Sequence, residues 1–96
     1  MRTRKDFYVV AYDISSDRRR RTVSKLLEKY GCRRNASVFE CMVTESEFRN
    51  MIAELNKLCN HKKDSILIYP LCLNCFSKSV FIPERKETVS YVKLVI

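Results

Sequence analysis

Two stretches of the chain are apolar almost without interruption, and two others are apolar only at every third or fourth position. Residues 7–14 read Phe-Tyr-Val-Val-Ala-Tyr-Asp-Ile, and residues 65–72 read Ser-Ile-Leu-Ile-Tyr-Pro-Leu-Cys. Runs of this length, rich in aromatic and β-branched residues, predict strands buried on both faces, the first of them central in its sheet. Pro70 has no N–H to give a ladder, so it belongs at a strand's end or on its edge side. Between the runs, Val23, Leu26, Leu27 and Tyr30 follow helical spacing behind three residues suited to an N-cap, Ser15, Ser16 and Asp17, which predicts a helix over 17–30. Gly31, the sole glycine, stands where a left-handed cap would end that helix. Residues 33–43 predict one bent strand or two short ones. Thr44 and Glu47 have the spacing of a capping box, with Val43 and Phe48 as its hydrophobic staple. Behind them Phe48, Met51, Ile52, Leu55, Leu58 and Cys59 form a helical apolar stripe over 45–59.

After the second apolar run the pattern loosens around Cys75 and Phe76, then predicts a short strand over 79–82, a charged turn over 83–87 and a last strand over 91–96. Strand, helix, one or two strands, helix, strand is the order of an α+β, ferredoxin-like βαββαβ plan, an antiparallel sheet with two helices on one face. The expected domain is 1–83. Residues 84–96 are left as an extra C-terminal strand extension, and an apolar strand without a place in a four-stranded protomer needs an edge, which a partner subunit supplies.

Composition narrows the class. At 96 residues, 46% hydrophobic and with one glycine, the chain is a single small domain rather than a disordered one, and a dimer is a natural way for it to bury more surface. No apolar run approaches the roughly 18 residues of a membrane span. The basic start at Arg2, Arg4 and Lys5 is not followed by a signal-peptide pattern, because Asp13 interrupts the apolar run and no small-residue cleavage site follows, so a cytoplasmic protein is expected. Five irregularly spaced cysteines fit reduced thiols better than a disulfide framework. The net charge of +8 calls for an anionic partner, nucleic acid before membrane.

The charge is concentrated. Residues 17–34 hold eight basic side chains against two acidic ones, among them Arg18, Arg19, Arg20, Arg21, Arg33 and Arg34. Cations are disfavoured in the first turn of a helix, so four consecutive arginines there argue for phosphate contacts over a merely solvated face. No base-reading motif accompanies them, which implies backbone contacts with weak sequence preference. Asp13, where the central strand surfaces beside this block, is either a turn residue or a ligand for a divalent metal held next to a phosphate. Cys72 and Cys75 form a C-x-x-C, but a zinc site with Cys59 and His61 would have to bridge an intervening strand roughly 20 Å long. A thioredoxin-like pair would need to open a helix, and none is signalled. His61 reads as a solvent-facing loop residue, and Tyr8, Tyr12 and Phe39 as core.

Tyr12-Asp13-Ile14 at the end of strand one, the arginine-rich start of helix one, Gly31 followed by Arg34, and then Ser37-Val38-Phe39-Glu40 resemble, in this order and over nearly the whole chain, the CRISPR-associated protein 2 family. The resemblance implies a ferredoxin-like protomer and a homodimer whose C-terminal strand crosses to the other subunit's sheet. It also implies a role in CRISPR adaptation, the acquisition of spacers for antiviral defence, in which the dimer bridges the CRISPR integrase and holds nucleic acid by its backbone. Some members act as metal-dependent endonucleases on single-stranded RNA or duplex DNA. By that resemblance Asp13 is the metal ligand, for Mg2+ or Mn2+, paired with its copy across the two-fold. Tyr12 lines the same catalytic cleft, Arg20 and Arg34 contact phosphate, and Ser37 and Phe39 shape the site. Where the family often carries glutamine two residues before Ser-Val-Phe, this chain has the shorter Asn35. Binding module and phosphodiesterase both stand as readings.

Overall fold

The structure, a computed structural model, describes residues 4–82. The elements in order are β1 (Lys5–Asp13), α1 (Asp17–Glu28), β2 (Gly31–Asn35), β3 (Val38–Thr44), α2 (Glu45–Leu58), β4 (Ser65–Leu71) and α3 (Leu73–Ser77). Every strand pairing is antiparallel, and the sheet order is β2-β3-β1-β4, which is the ferredoxin-like arrangement with β1 inside the sheet as expected.

Side chains alternate across the sheet, so each strand sends one set toward the helices and one away. Val10 and Tyr12 of β1, Phe39, Cys41 and Val43 of β3, and Val23, Leu26, Leu27, Met51 and Leu55 of the helices close into one core, with Ile66 and Ile68 of β4 packed against it. The opposite, open face is set by the register. Val9 sits between Glu40 and Tyr69, and Ala11 between Val38 and Leu67. Leu67 and Tyr69 remain 52% and 56% exposed there.

Both helix starts form as the sequence predicts. The Ser16 hydroxyl accepts from the Arg19 amide at 3.3 Å. Thr44 and Glu47 complete the capping box in both directions, at 3.1 Å and 2.8 Å. The N–H of Thr44 on the Glu47 carboxylate holds that group below its ordinary value. Phe48 stacks on Tyr8, with ring centroids 4.3 Å apart, rather than serving only as a staple for the helix entry.

Four expectations are corrected. Helix one ends at Glu28, with the Lys29 amide donating to the Leu26 carbonyl and the Tyr30 amide to the Leu27 carbonyl, and Gly31 opens β2 instead of capping the helix. A Cβ at Gly31 would lie 2.1 Å from the Glu40 carbonyl oxygen, so glycine is needed for close approach of two strands and not for a left-handed turn. Neither apolar run is buried on both faces: Val9 and Ala11 of β1 are only half-buried on the open face, and β4, among the described residues, is an edge strand of which only alternate residues reach the core. A short helix, α3, follows β4 where no helix was signalled, and Cys72 is its N-cap. Residues 79–82 are not a strand. The expected turn over 83–87, the strand over 91–96 and the tail's pairing lie outside the described residues. α3 folds over the open face and sets Phe76 on Phe7, ring centroids 4.6 Å apart, which covers one end of that face.

Candidate nucleic-acid interface and metal position

The four arginines that open α1 have separate fates, fixed by helix geometry. Arg19 turns toward the loop before β4 and meets Asp64, with Nε 2.8 Å and Nη2 3.1 Å from the two carboxylate oxygens. The Asp64 side chain is fully buried and also accepts from the Asn60 and Ser15 amides at 2.8 Å and 3.3 Å. The guanidinium and these amides hold the Asp64 carboxyl far below the usual carboxylate range, and the carboxylate in turn raises Arg19. Arg19 is therefore a clip between the start of α1 and the loop over 59–64. Arg20 donates to the Ile14 carbonyl at 2.8 Å and to Asp17, which places its guanidinium one residue beyond Asp13.

Arg18 and Arg21 are exposed and make no side-chain ion pair or hydrogen bond among the described residues. Lys25 and Lys29 are exposed farther along the same helix, at spacings that continue the stripe. This outward basic row carries charge that no side chain among the described residues pairs. The cost of cations in a first helical turn is lowered by internal acceptors for Arg19 and Arg20, so only part of the arginine cluster is free for a ligand.

From β2, Arg33 lies over the Phe39 ring at 5.7 Å and donates to the Ser24 hydroxyl, tying β2 to α1. Arg34 stands at a register shift between Arg33 and Asn35, and its Nε donates to Glu40 at 2.7 Å. Both side chains of that pair are largely buried, at 13% and 9% exposure. Removing the guanidinium takes a counter-charge from a largely buried carboxylate, so Arg34→Ala is expected to cost about 3 kcal/mol in urea unfolding, with the double variant Arg34→Ala/Glu40→Gln recovering part of the loss.

Tyr12 is buried, and its hydroxyl donates to the Ala36 carbonyl at 3.1 Å while its amide donates to the Ser37 carbonyl at 3.0 Å. Its ring packs near Phe39, centroids 6.3 Å apart. Tyr12, Ser37 and Phe39 thus come together as the sequence reading groups them, but what they build is the anchorage of the β2–β3 turn to the end of β1. Asn35 completes that turn by accepting from the Ser37 amide at 3.1 Å, a contact its short amide makes within the loop.

Asp13 is exposed at the last position of β1, on the open face beside Ser65, with no hydrogen bond or ion pair among the described residues. No cluster of three or more metal-ligating side chains occurs among the described residues. One carboxylate does not fit a magnesium site by itself, since such ions take about six oxygen ligands.

The profile of the CRISPR associated protein Cas2 family matches residues 6–87. The chain belongs to the Cas2 family. A relative from Rhodospirillum rubrum named CRISPR-associated endoribonuclease Cas2 4 is 47% identical over 71% of this chain and 55% of its own length, so the match spans little more than half of that protein. The Cas2 of Streptococcus pyogenes is 35% identical with a TM-score of 0.72, covering 78% of this chain and 96% of that one. A chain of a partial Cas6-RT-Cas1–Cas2 complex is 27% identical with a TM-score of 0.71, covering 83% and 88%. The Cas2 fold therefore accounts for the described elements β1 to β4.

Sequence reasoning missed Asp64 and the α3 helix. Asp64 lies 45 residues from Arg19, and nothing local marks the pairing. The N-capping role of Cys72 had a signal in the C-x-x-C spacing, which matches the offset between an N-cap and the third helical residue.

Proposed function

We propose that this chain acts in the cytoplasm as a homodimeric adaptation protein of a CRISPR system, gripping nucleic acid by its phosphate backbone and bridging the CRISPR integrase during spacer acquisition. The observation that carries the binding is the outward row of Arg18, Arg21, Lys25 and Lys29, solvent-facing cations of which the two arginines have no side-chain partner among the described residues. The dimer rests on the open sheet face, where Leu67 and Tyr69 are exposed beside half-buried Val9, Ala11 and Val38, and on the outer edge of β4, a seven-residue strand that gives the partner's C-terminal segment an edge to pair with. The integrase as partner is supported by the likeness to a chain of a complex that contains Cas1.

Static light scattering after size exclusion is expected to give twice the protomer mass for the chain alone and a larger co-eluting species with the purified integrase. A protomer mass that does not change when the integrase is added would overturn the reading.

A second reading, a metal-dependent endonuclease on RNA or duplex DNA, is favoured by the exposed Asp13, which has no partner among the described residues, and by the endoribonuclease named in a 47%-identical relative. The carboxylate would need its copy from the second subunit, water and the substrate phosphate to complete the ligands of Mg2+ or Mn2+. Such an ion supplies a polarised phosphate oxygen and a water of lowered pKa. Arg20, held one residue away through Ile14, keeps positive charge beside that position.

A further inference from the structure

We propose that Cys72 and Cys75 form a redox-active dithiol that reacts with small-molecule disulfides of the glutathione class to give an intrachain Cys72–Cys75 disulfide. Both thiols are exposed and free, and the chain folds them together: the Cys75 amide donates to Cys72 Sγ at 3.3 Å, with the intervening residues in the first turn of α3. The other three cysteines have no such arrangement. Cys41 is fully buried, and burial pushes its thiol up to about 12, which makes it inert. Cys32 is exposed on β2 and Cys59 is half-buried after α2, and neither has a neighbouring thiol within its own turn.

The two thiols of the pair are also differentiated. Backbone donors led by the Cys75 amide favour the Cys72 thiolate and lower it, whereas Cys72 next door raises Cys75. That asymmetry gives each a role. In the first step the Cys72 thiolate sulfur bonds one sulfur of the oxidant, the oxidant's S–S bond breaks, and one thiol leaves. In the second, Cys75 gives up its proton and its sulfur bonds Cys72 Sγ, expelling the second thiol. The cysteines lose two electrons between them, and the oxidant is reduced to two thiols. The product fixes the turn that precedes Phe76, the residue that covers the end of the open face through Phe7.

The test uses the full chain incubated with glutathione disulfide and analysed by intact mass and peptide mapping. Wild type is expected to lose two free thiols, gain a 72–75 disulfide and retain no glutathione. Cys75→Ser is expected to trap one glutathione on Cys72. Cys72→Ser, which keeps an N-cap oxygen for α3, is expected to react at Cys75 about tenfold more slowly. A wild-type protein that keeps glutathione without forming the internal disulfide, or that is modified first at Cys32, would overturn the proposal. So would Cys72→Ser reacting as fast as Cys75→Ser.

Discussion

Gly31→Ala lowers the melting temperature by on the order of 15 °C, corresponding to about 3 kcal/mol in a domain of this size. The reason is a contact between two backbones. The added methyl would sit 2.1 Å from the Glu40 carbonyl oxygen and 2.8 Å from both Cys41 Cα and Cys41 Sγ. A flexible side chain could swing away from such a clash, but a carbonyl and a Cα in the middle of β3 cannot. Gly31 is paired with Cys41, and Cys41 is fully buried under the helices, so β3 has no room to retreat. β2 must instead peel from the sheet, taking with it the Arg33 and Arg34 contacts to Ser24 and Glu40. Thermal unfolding followed by circular dichroism measures the effect. A shift of a degree or two would mean that glycine serves there only as a turn residue.

The second large effect is on binding. Arg18→Ala/Arg21→Ala is expected to weaken duplex DNA binding at least about tenfold at low salt and to flatten the dependence of log K on log salt by about two units for each subunit that contacts the duplex, one for each phosphate contact removed. Folding stability should change by less than about 0.5 kcal/mol, because both side chains are exposed and make no side-chain hydrogen bond or ion pair among the described residues. Arg19→Ala makes the opposite comparison. It removes the cation that Asp64 was built around, so its principal effect is a loss of stability, with the salt slope of binding by the folded protein unchanged. Fluorescence titrations over a salt series, alongside urea unfolding, separate the two.

Elements whose cause is local were legible in the sequence. The capping box of α2, the periodic stripes of both helices and the strand at β1 each need only neighbours within a few residues, and each formed where it was expected, with β1 buried on its core face alone. What the sequence hides is set by partners far along the chain. Gly31 reads as a helix cap because a glycine after a helix is common, yet its need arises from Glu40 across the sheet. Ser65–Leu71 reads as apolar on both faces because one face meets the core and the other is left open among the described residues, which hydropathy alone cannot separate. The arginine cluster likewise reads as one unit of charge. Folding divides it into a clip at Arg19, a local anchor at Arg20 and two exposed cations with no side-chain partner among the described residues.

Asp13 carries the distinction between the two functional readings, because its exposed carboxylate lies near the basic helix but belongs to none of its contacts. The measurement that tests the central claim most directly is duplex DNA and single-stranded RNA binding by wild type and Asp13→Ala, each with magnesium and with chelator, with cleavage followed in the same samples. If this protein is first a backbone-gripping module, Asp13→Ala binds as tightly as wild type, or slightly tighter through loss of a negative charge, and chelator leaves binding unchanged. Binding that requires the metal and disappears in Asp13→Ala, together with cleavage, would contradict that claim and make the carboxylate the centre of the protein's function.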